Sequence, residues 1–338
     1  MTNSELIKQL FLSFSNKDNE SFELVARKYI ERAKRKKHNI VAKDLEKALY
    51  GTKNISSSQK RFKNNMPIPR DTEKGFPLLE IQHFDKNFDH LIISKETKEQ
   101  LEQVIREFKD SDILATYNLE YKKKILLCGK PGTGKTFSAQ IMSSVLNMPL
   151  IYIRFDAIIS SYLGETAGNL RKVFDFIEHG TWIVLFDEFD IIGKNRDDNH
   201  EHGEIKRVVN NFLQMLDNVK GDSIILAATN HQNILDPAIW RRFDDVVYYN
   251  LPDEKSRCQL FEIYLKPIKR DKDIDIVKFS QITQGLSPAD IKMITEEAMK
   301  FAIINSRSSI SMNCIEIAVN KFIRREKVRN NKVGEDNG

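Results

Sequence analysis

The chain has 338 residues, 41% hydrophobic and 30% charged, enough for two or three packed domains and too polar for a membrane protein. Its formal charge of +5 is small for that length and implies no general affinity for nucleic acid. Cys128, Cys258 and Cys314 lie far apart, without close-spaced metal patterns, so buried thiols in a reducing cytosol are expected rather than a disulfide framework.

The N-terminal stretch MTNSELIKQLFLSF lacks the basic lead and the apolar core of a secretory signal, and nowhere do about 18 apolar residues run together. A cytoplasmic protein without membrane contact is expected. Residues 1–50 read as a small helical domain: Phe22, Val25, Ala26, Tyr29 and Ala33 recur at three- and four-residue spacing, uninterrupted by Pro or Gly. Arg27, Lys28, Arg32, Lys34, Arg35, Lys36 and Lys37 make one side of it basic. That side reads first as the solvated face of an amphipathic helix, with Glu31 spaced to pair with Arg35, and second as a phosphate-binding face for DNA or RNA. Residues 51–80 carry Ser56 to Ser58, Pro67, Pro69 and Pro77 without periodicity, which marks a linker.

Residues 81–251 read as an α/β domain. Leu101 to Phe108 has helical spacing, and five apolar runs follow: Ile125 to Cys128, Leu150 to Ile153, Trp182 to Phe186, Ile224 to Ala228 and Val246 to Tyr249. Such runs suit parallel strands covered on both faces, with crossover helices between them. The first ends in GKPGTGKT, which fits G-x-x-x-x-G-K-[ST]. In such a loop Gly129, Pro131, Gly132, Thr133 and Gly134 curl the backbone so that its N–H groups face the phosphates of ATP. Lys135 would reach the β- and γ-phosphates and the Thr136 hydroxyl would bind Mg²⁺. After the second run, SSYLGET places Tyr162, Leu163 and Gly164 together in a connection that should be polar. Tyr162 either packs onto the following helix, seen as Asn169 to Phe176, or stays exposed. The third run ends in WIVLFDEFD, where Asp187 would hold the Mg²⁺ shell and Glu188 would deprotonate the attacking water. Residues 252–328 form a helical lid, with a strong helix start at Ser287-Pro288-Ala289-Asp290, and residues 329–338 are a tail.

The ordered set GKPGTGKT, FDEFD, AATN and DPAIWRRF resembles the AAA family of P-loop ATPases over about residues 84–325. That resemblance implies a P-loop NTPase parallel sheet with a helical C-terminal lid, Mg²⁺-dependent ATP hydrolysis and a nucleotide-dependent homo-oligomeric ring, a hexamer. It implies that Asn230 is the polar sensor of the γ-phosphate and that Arg241 and Arg242 are arginine fingers reaching into a neighbouring subunit. Many members separate the two arginines by a short insert, so which of this adjacent pair touches phosphate stays open. Gly285, Ser287, Ala289 and Asp290 match the family's Gly-x-Ser-Gly-Ala-Asp, with Pro288 replacing its second glycine, which puts Ala289 near the nucleotide.

In the family, the connection after the second strand lines a central pore, so Tyr162, Leu163 and Gly164 would grip and pull a protein substrate. KNRDDNHEHGE would be a second pore loop; its His200, Glu201 and His202 have no third convergent partner for zinc, and Arg207 would face the neighbouring subunit. SSYLGETAGNL, HGEIKRVV and AATNHQNILDPAIWRRFDD are also similar to a bacterial subgroup encoded beside subtilisin-like serine proteases in plasmid-maintenance and phage-defence gene pairs. This chain contains neither H-E-x-x-H nor G-x-S-x-G, so such a protease would be a separate partner. The function expected is remodelling or threading of proteins by a ring. The alternatives are an ATP-dependent assembly switch that does not thread, and a ring acting on nucleic acid through the basic N-terminal helix.

Overall fold

The structure is a computed structural model that describes residues 3–15, 18–35, 67–71, 75–158, 163–190, 202–231, 237–271, 274–307 and 309–335. They belong to two compact units, residues 1–65 and 66–338. The first contains helices α1 (Asn3–Ser15) and α2 (Asn19–Arg35), and at the start of α2 the Ser21 N–H donates to Asp18 Oδ1 at 3.1 Å. Leu6, Val25 and Ile30 are buried, while Phe22, Ala26 and Tyr29 are half-buried, as their spacing requires. Lys36, Lys37 and the side chains of Arg32, Lys34 and Arg35 lie outside the described part, so the Glu31–Arg35 pairing does too.

The second unit is built on a six-stranded sheet in the order β1-β3-β4-β5-β2-β6. Its strands are β1 (Leu79–Gln82), β2 (Lys124–Gly129), β3 (Leu150–Arg154), β4 (Ile183–Asp187), β5 (Ile224–Thr229) and β6 (Asp245–Tyr249). The last five are parallel to one another and coincide with the five apolar runs. β5 is buried along its whole length, and β2 and β4 over four residues each, which explains why they read as continuous rather than alternating apolar segments. β1 is different: it runs antiparallel on the edge, beside β3, and is only partly buried. It has no counterpart in the sequence reading, because four residues with a single buried side chain, Leu79, directly after the proline-containing stretch give no strand signal.

The crossovers are α5 (Lys135–Leu146) after β2, α6 (Phe155–Ile158) and α7 (Leu163–Glu178) after β3, α8 (His202–Asn218) after β4 and α9 (Pro237–Trp240) after β5. Ahead of the sheet core lie α3 (Lys95–Lys109) and the short α4 (Ser111–Thr116). Thr97 of α3 donates its hydroxyl to the Tyr248 carbonyl at 2.8 Å, which ties this helix to β6. Beneath the strand ends, Phe155, Phe174, Phe186, Phe189, Phe212 and Phe243 form one aromatic cluster with ring centroids 5.1 to 6.1 Å apart. The cluster joins the segments after β3, β4 and β5 into one packed body.

The lid consists of α10 (Glu254–Tyr264), α11 (Ile276–Ile282), α12 (Pro288–Ile304) and α13 (Met312–Glu335) around its own core, which includes Phe261, Phe279, Ile291, Ile294 and Ile315. Cys314 is buried within it and Cys128 within the sheet, whereas Cys258 is only half-buried. Among the described residues no helix is long and apolar enough to cross a membrane. α12 begins with a reciprocal capping box. The Ser287 N–H donates to Asp290 Oδ2 at 2.9 Å, the Asp290 N–H donates to Ser287 Oγ at 3.3 Å, and Pro288 takes the first helical position. Ser287→Ala removes that cap and should cost about 1 kcal/mol. Chemical denaturation followed by circular dichroism checks this; an unchanged midpoint would show that the cap is energetically idle.

Candidate functional site

Lys135, Thr136, Asp187, Glu188 and Asn230 all lie at or after the C-terminal ends of sheet strands. β2 ends at Gly129, so close to β6 that a Cβ there would lie 2.5 Å from the Tyr249 carbonyl oxygen. The chain then turns back through Gly132 and Gly134, whose φ values of +75° and +108° suit glycine, and enters α5 at Lys135. Gly132 has a second reason to lack a side chain. A Cβ would stand 2.6 Å from Ser287 Oγ and 2.8 Å from the Ala289 Cβ, because the start of α12 rests on the loop and the Ala289 N–H donates to the Gly132 carbonyl at 3.2 Å. The Thr133 hydroxyl braces the turn from inside by donating to the Lys130 carbonyl at 2.8 Å.

Lys135 is 7% exposed and its Nζ donates to the Gly129 carbonyl at 2.6 Å, the Lys130 carbonyl at 2.9 Å and Asn230 Oδ1 at 2.8 Å. Burial pushes its pKa down from the ordinary lysine value to about 8, against an opposing pull from the Asp187 carboxylate. The Thr136 hydroxyl donates to Asp187 Oδ2 at 2.8 Å. Glu188, next along, has φ +54°, a left-handed conformation that a non-glycine residue adopts at a cost of roughly 1 kcal/mol. Its N–H donates to Asp187 Oδ1 at 2.9 Å and its exposed side chain lines the cleft. Behind them Asp190 is 3% exposed and accepts from the Asn230 N–H at 3.4 Å, with His231 Nε2 4.0 Å away.

These residues border a cleft of ≈ 550 Å³. Pro131, Gly132, Thr133, Gly134, Lys135, Thr136, Asp187, Glu188 and Asn230 line its polar end. His90, Leu91, Ile92, Leu260, Ile263, Tyr264, Pro288, Ala289 and Lys292 line a largely apolar end between the sheet and the lid. A buried cation held by backbone carbonyls at the mouth of a helix N-terminus at one end and an apolar slot at the other suit a nucleoside polyphosphate. A hydroxyl and a carboxylate in contact are hard oxygen donors, so Thr136 and Asp187 fit a magnesium ion.

The other residues singled out from sequence lie elsewhere. Arg241 and Arg242, just after α9, do not line this cleft. Arg242 Nη1 pairs with Asp217 Oδ2 of α8 at 2.6 Å, while Arg241 is exposed and unpaired among the described residues. Tyr162 and residues 191–201, which include His200 and Glu201, are outside the described part. Leu163 and Gly164 open α7 and His202 opens α8, but their side chains and that of Arg207 are likewise outside it. Conversely, the site contains residues the sequence reading does not single out. Lys292 follows Ala289 by three positions and so shares its helix face, a legible signal. His90 to Ile92 give none, because their role depends on meeting the lid across 170 residues of chain.

The family model described as "ATPase family associated with various cellular activities (AAA)" matches residues 125–251. The AAA family ATPase y4kL of Sinorhizobium fredii is 33% identical over 326 residues, covering 96% of this chain and 97% of its own. A proteasome-activating nucleotidase of Saccharolobus solfataricus is 36% identical over 252 residues, which is 71% of this chain and 63% of that protein. The nucleotidase of Archaeoglobus fulgidus is 34% identical over 221 residues, 63% of this chain and 56% of its own. The chain therefore spans less than two thirds of the length of these nucleotidases.

The lowered Lys135 pKa sets a pH dependence. Above pH 8 the free site holds a largely neutral amine, whereas a bound polyphosphate favours the ammonium, so binding takes up a proton and weakens as pH rises. Calorimetry of ATP binding at pH 8.5 in EDTA, repeated in buffers of different ionisation enthalpy, should show that uptake. Heats independent of the buffer would contradict it.

Proposed function

We propose, from the premise that the chain belongs to the AAA family of ATPases and hydrolyses ATP, that it works as a magnesium-dependent hexameric ring that remodels or threads protein substrates. The observation that carries this reading is the convergence of Lys135, Thr136, Asp187, Glu188 and Asn230, from separate stretches of the chain, on one cleft. Lys135 already holds three oxygen acceptors, and exchanges carbonyl oxygens for phosphate oxygens when ATP enters. Thr136 and Asp187 would hold Mg²⁺, which when bound neutralises charge on the β- and γ-phosphates. Glu188 takes the proton of the attacking water, and Asn230, fixed from behind by Asp190, orients that water against the γ-phosphate. Ala289 closes the cleft from the lid side.

Among the described residues no arginine lines the cleft, so the guanidinium that would balance the charge developing on the transferred phosphate is assigned to a neighbouring copy. Arg241 is exposed and Arg242 is held by Asp217, which supports Arg241 as the finger inserted into a neighbouring copy, with Arg242 bracing the segment. Protein as the substrate is supported by the likeness to relatives described as proteasome-activating nucleotidases. On this reading Tyr162, Leu163 and Gly164 grip the polypeptide, and a separate protease, subtilisin-like in the gene-pair resemblance, receives it. Residues 1–50 select the substrate or partner, residues 51–80 link them to the motor, and residues 252–328 form the lid.

Two variants test the ring. Arg241→Ala should lower kcat on the order of 10³-fold, and Lys135→Ala should abolish ATP binding. Mixing these two inactive proteins should restore part of the activity, because some sites then combine an intact Lys135 with an intact Arg241 from the next copy. No restoration on mixing would place the finger in the same chain or remove it altogether. Tyr162→Ala should reduce ATP-driven unfolding of a substrate protein far more than it reduces ATP hydrolysis; an equal reduction of both, or none, would favour the assembly switch.

A further inference from the structure

We propose that Tyr152 is a positioning residue for the metal-holding carboxylate of Asp187, an inference that rests on the reading of Asp187 given above. Tyr152 stands on β3, next to β4, where it pairs with Leu185 while Arg154 pairs with Asp187. Side chains alternate along a strand, so Tyr152 shares a face with Leu185 and Asp187, and the length of its ring carries the hydroxyl towards the strand end. The Tyr152 hydroxyl donates to Asp187 Oδ2 at 3.2 Å.

That oxygen also receives the Thr136 hydroxyl at 2.8 Å, and Oδ1 receives the Glu188 N–H at 2.9 Å. The carboxylate is thus held by three donors from three directions: α5, β3 and the turn after β4. Two of them would be committed elsewhere, since Thr136 would itself hold the metal and the Glu188 N–H belongs to the residue proposed as the base. Tyr152, which is not among the residues lining the cleft, would fix the plane of the carboxylate from outside it. Groups in that position commonly change metal affinity ten- to a hundred-fold when removed.

The test uses the full chain carrying Glu188→Gln, so that hydrolysis does not intervene, and measures ATP affinity by calorimetry in Mg²⁺ and in EDTA. The ratio of the two affinities is the gain that Mg²⁺ confers. Tyr152→Phe, which keeps the half-buried ring and deletes one hydroxyl, should lower that gain about tenfold and leave the affinity in EDTA unchanged. Asp187→Asn in the same background should also lower the gain. If Asp187→Asn lowers it and Tyr152→Phe does not, the role of Tyr152 is overturned and that of Asp187 stands. If neither lowers it, the reading of Asp187 fails and the inference with it. If Tyr152→Phe weakens binding equally with and without Mg²⁺, Tyr152 serves packing only and the proposal is overturned.

Discussion

Three parallel strands, β4, β5 and β2, lie side by side and end at the same edge of the sheet, and each polar contact in the cleft depends on that alignment. The order brings Asp187 from β4 and Asn230 after β5 each within one hydrogen bond of the end of the loop after β2, at Thr136 and Lys135, across 51 and 95 positions of the chain. A parallel arrangement costs a long crossover for every strand, and it gathers all the chain reversals that carry chemistry at one rim. Burial of β2, β4 and β5 then makes the rim rigid, so that Lys135 and Asp187 keep their spacing in a cleft open to solvent.

The lid is coupled to that rim by direct contact. Ser287 and Ala289 sit where a side chain on Gly132 would be, and the Ala289 N–H satisfies the Gly132 carbonyl. A shift of the loop around a phosphate would therefore meet the start of α12, whose end is held by the capping box and Pro288. On the sheet side, Phe189 of the acidic turn packs against Phe155, Phe212 and Phe243. The segment that carries Arg241 is thereby packed against the residues beside Glu188, which in the proposed ring would link one site to the next.

What the sequence made legible follows from how local each signal is. GKPGTGKT is readable because its glycines answer backbone demands within eight residues, and the strands are readable because burial on both faces writes continuous apolar runs. Ser287, Pro288 and Asp290 announced a helix start for the same reason, since a cap is a contact between near neighbours. β1 was hidden by its short, half-exposed edge position. The difference between Arg241 and Arg242 was hidden because it is made by Asp217, on another helix, and Tyr152 because its partner lies on the adjacent strand, 35 residues on. At the largely apolar end of the cleft only Ala289, and Lys292 three positions on, were legible; His90 to Ile92 and Leu260 to Tyr264 were not, because they meet only across distant stretches of the chain.

The reading stands or falls on whether this cleft needs a second copy of the chain. The most direct measurement is the solution mass of the Glu188→Gln variant with and without ATP, because that change preserves nucleotide binding while blocking hydrolysis. A shift on adding ATP from a smaller species to one of about six chains is the predicted result. A protein that remains monomeric with ATP demonstrably bound would contradict the ring, and with it both the finger in trans and the pore.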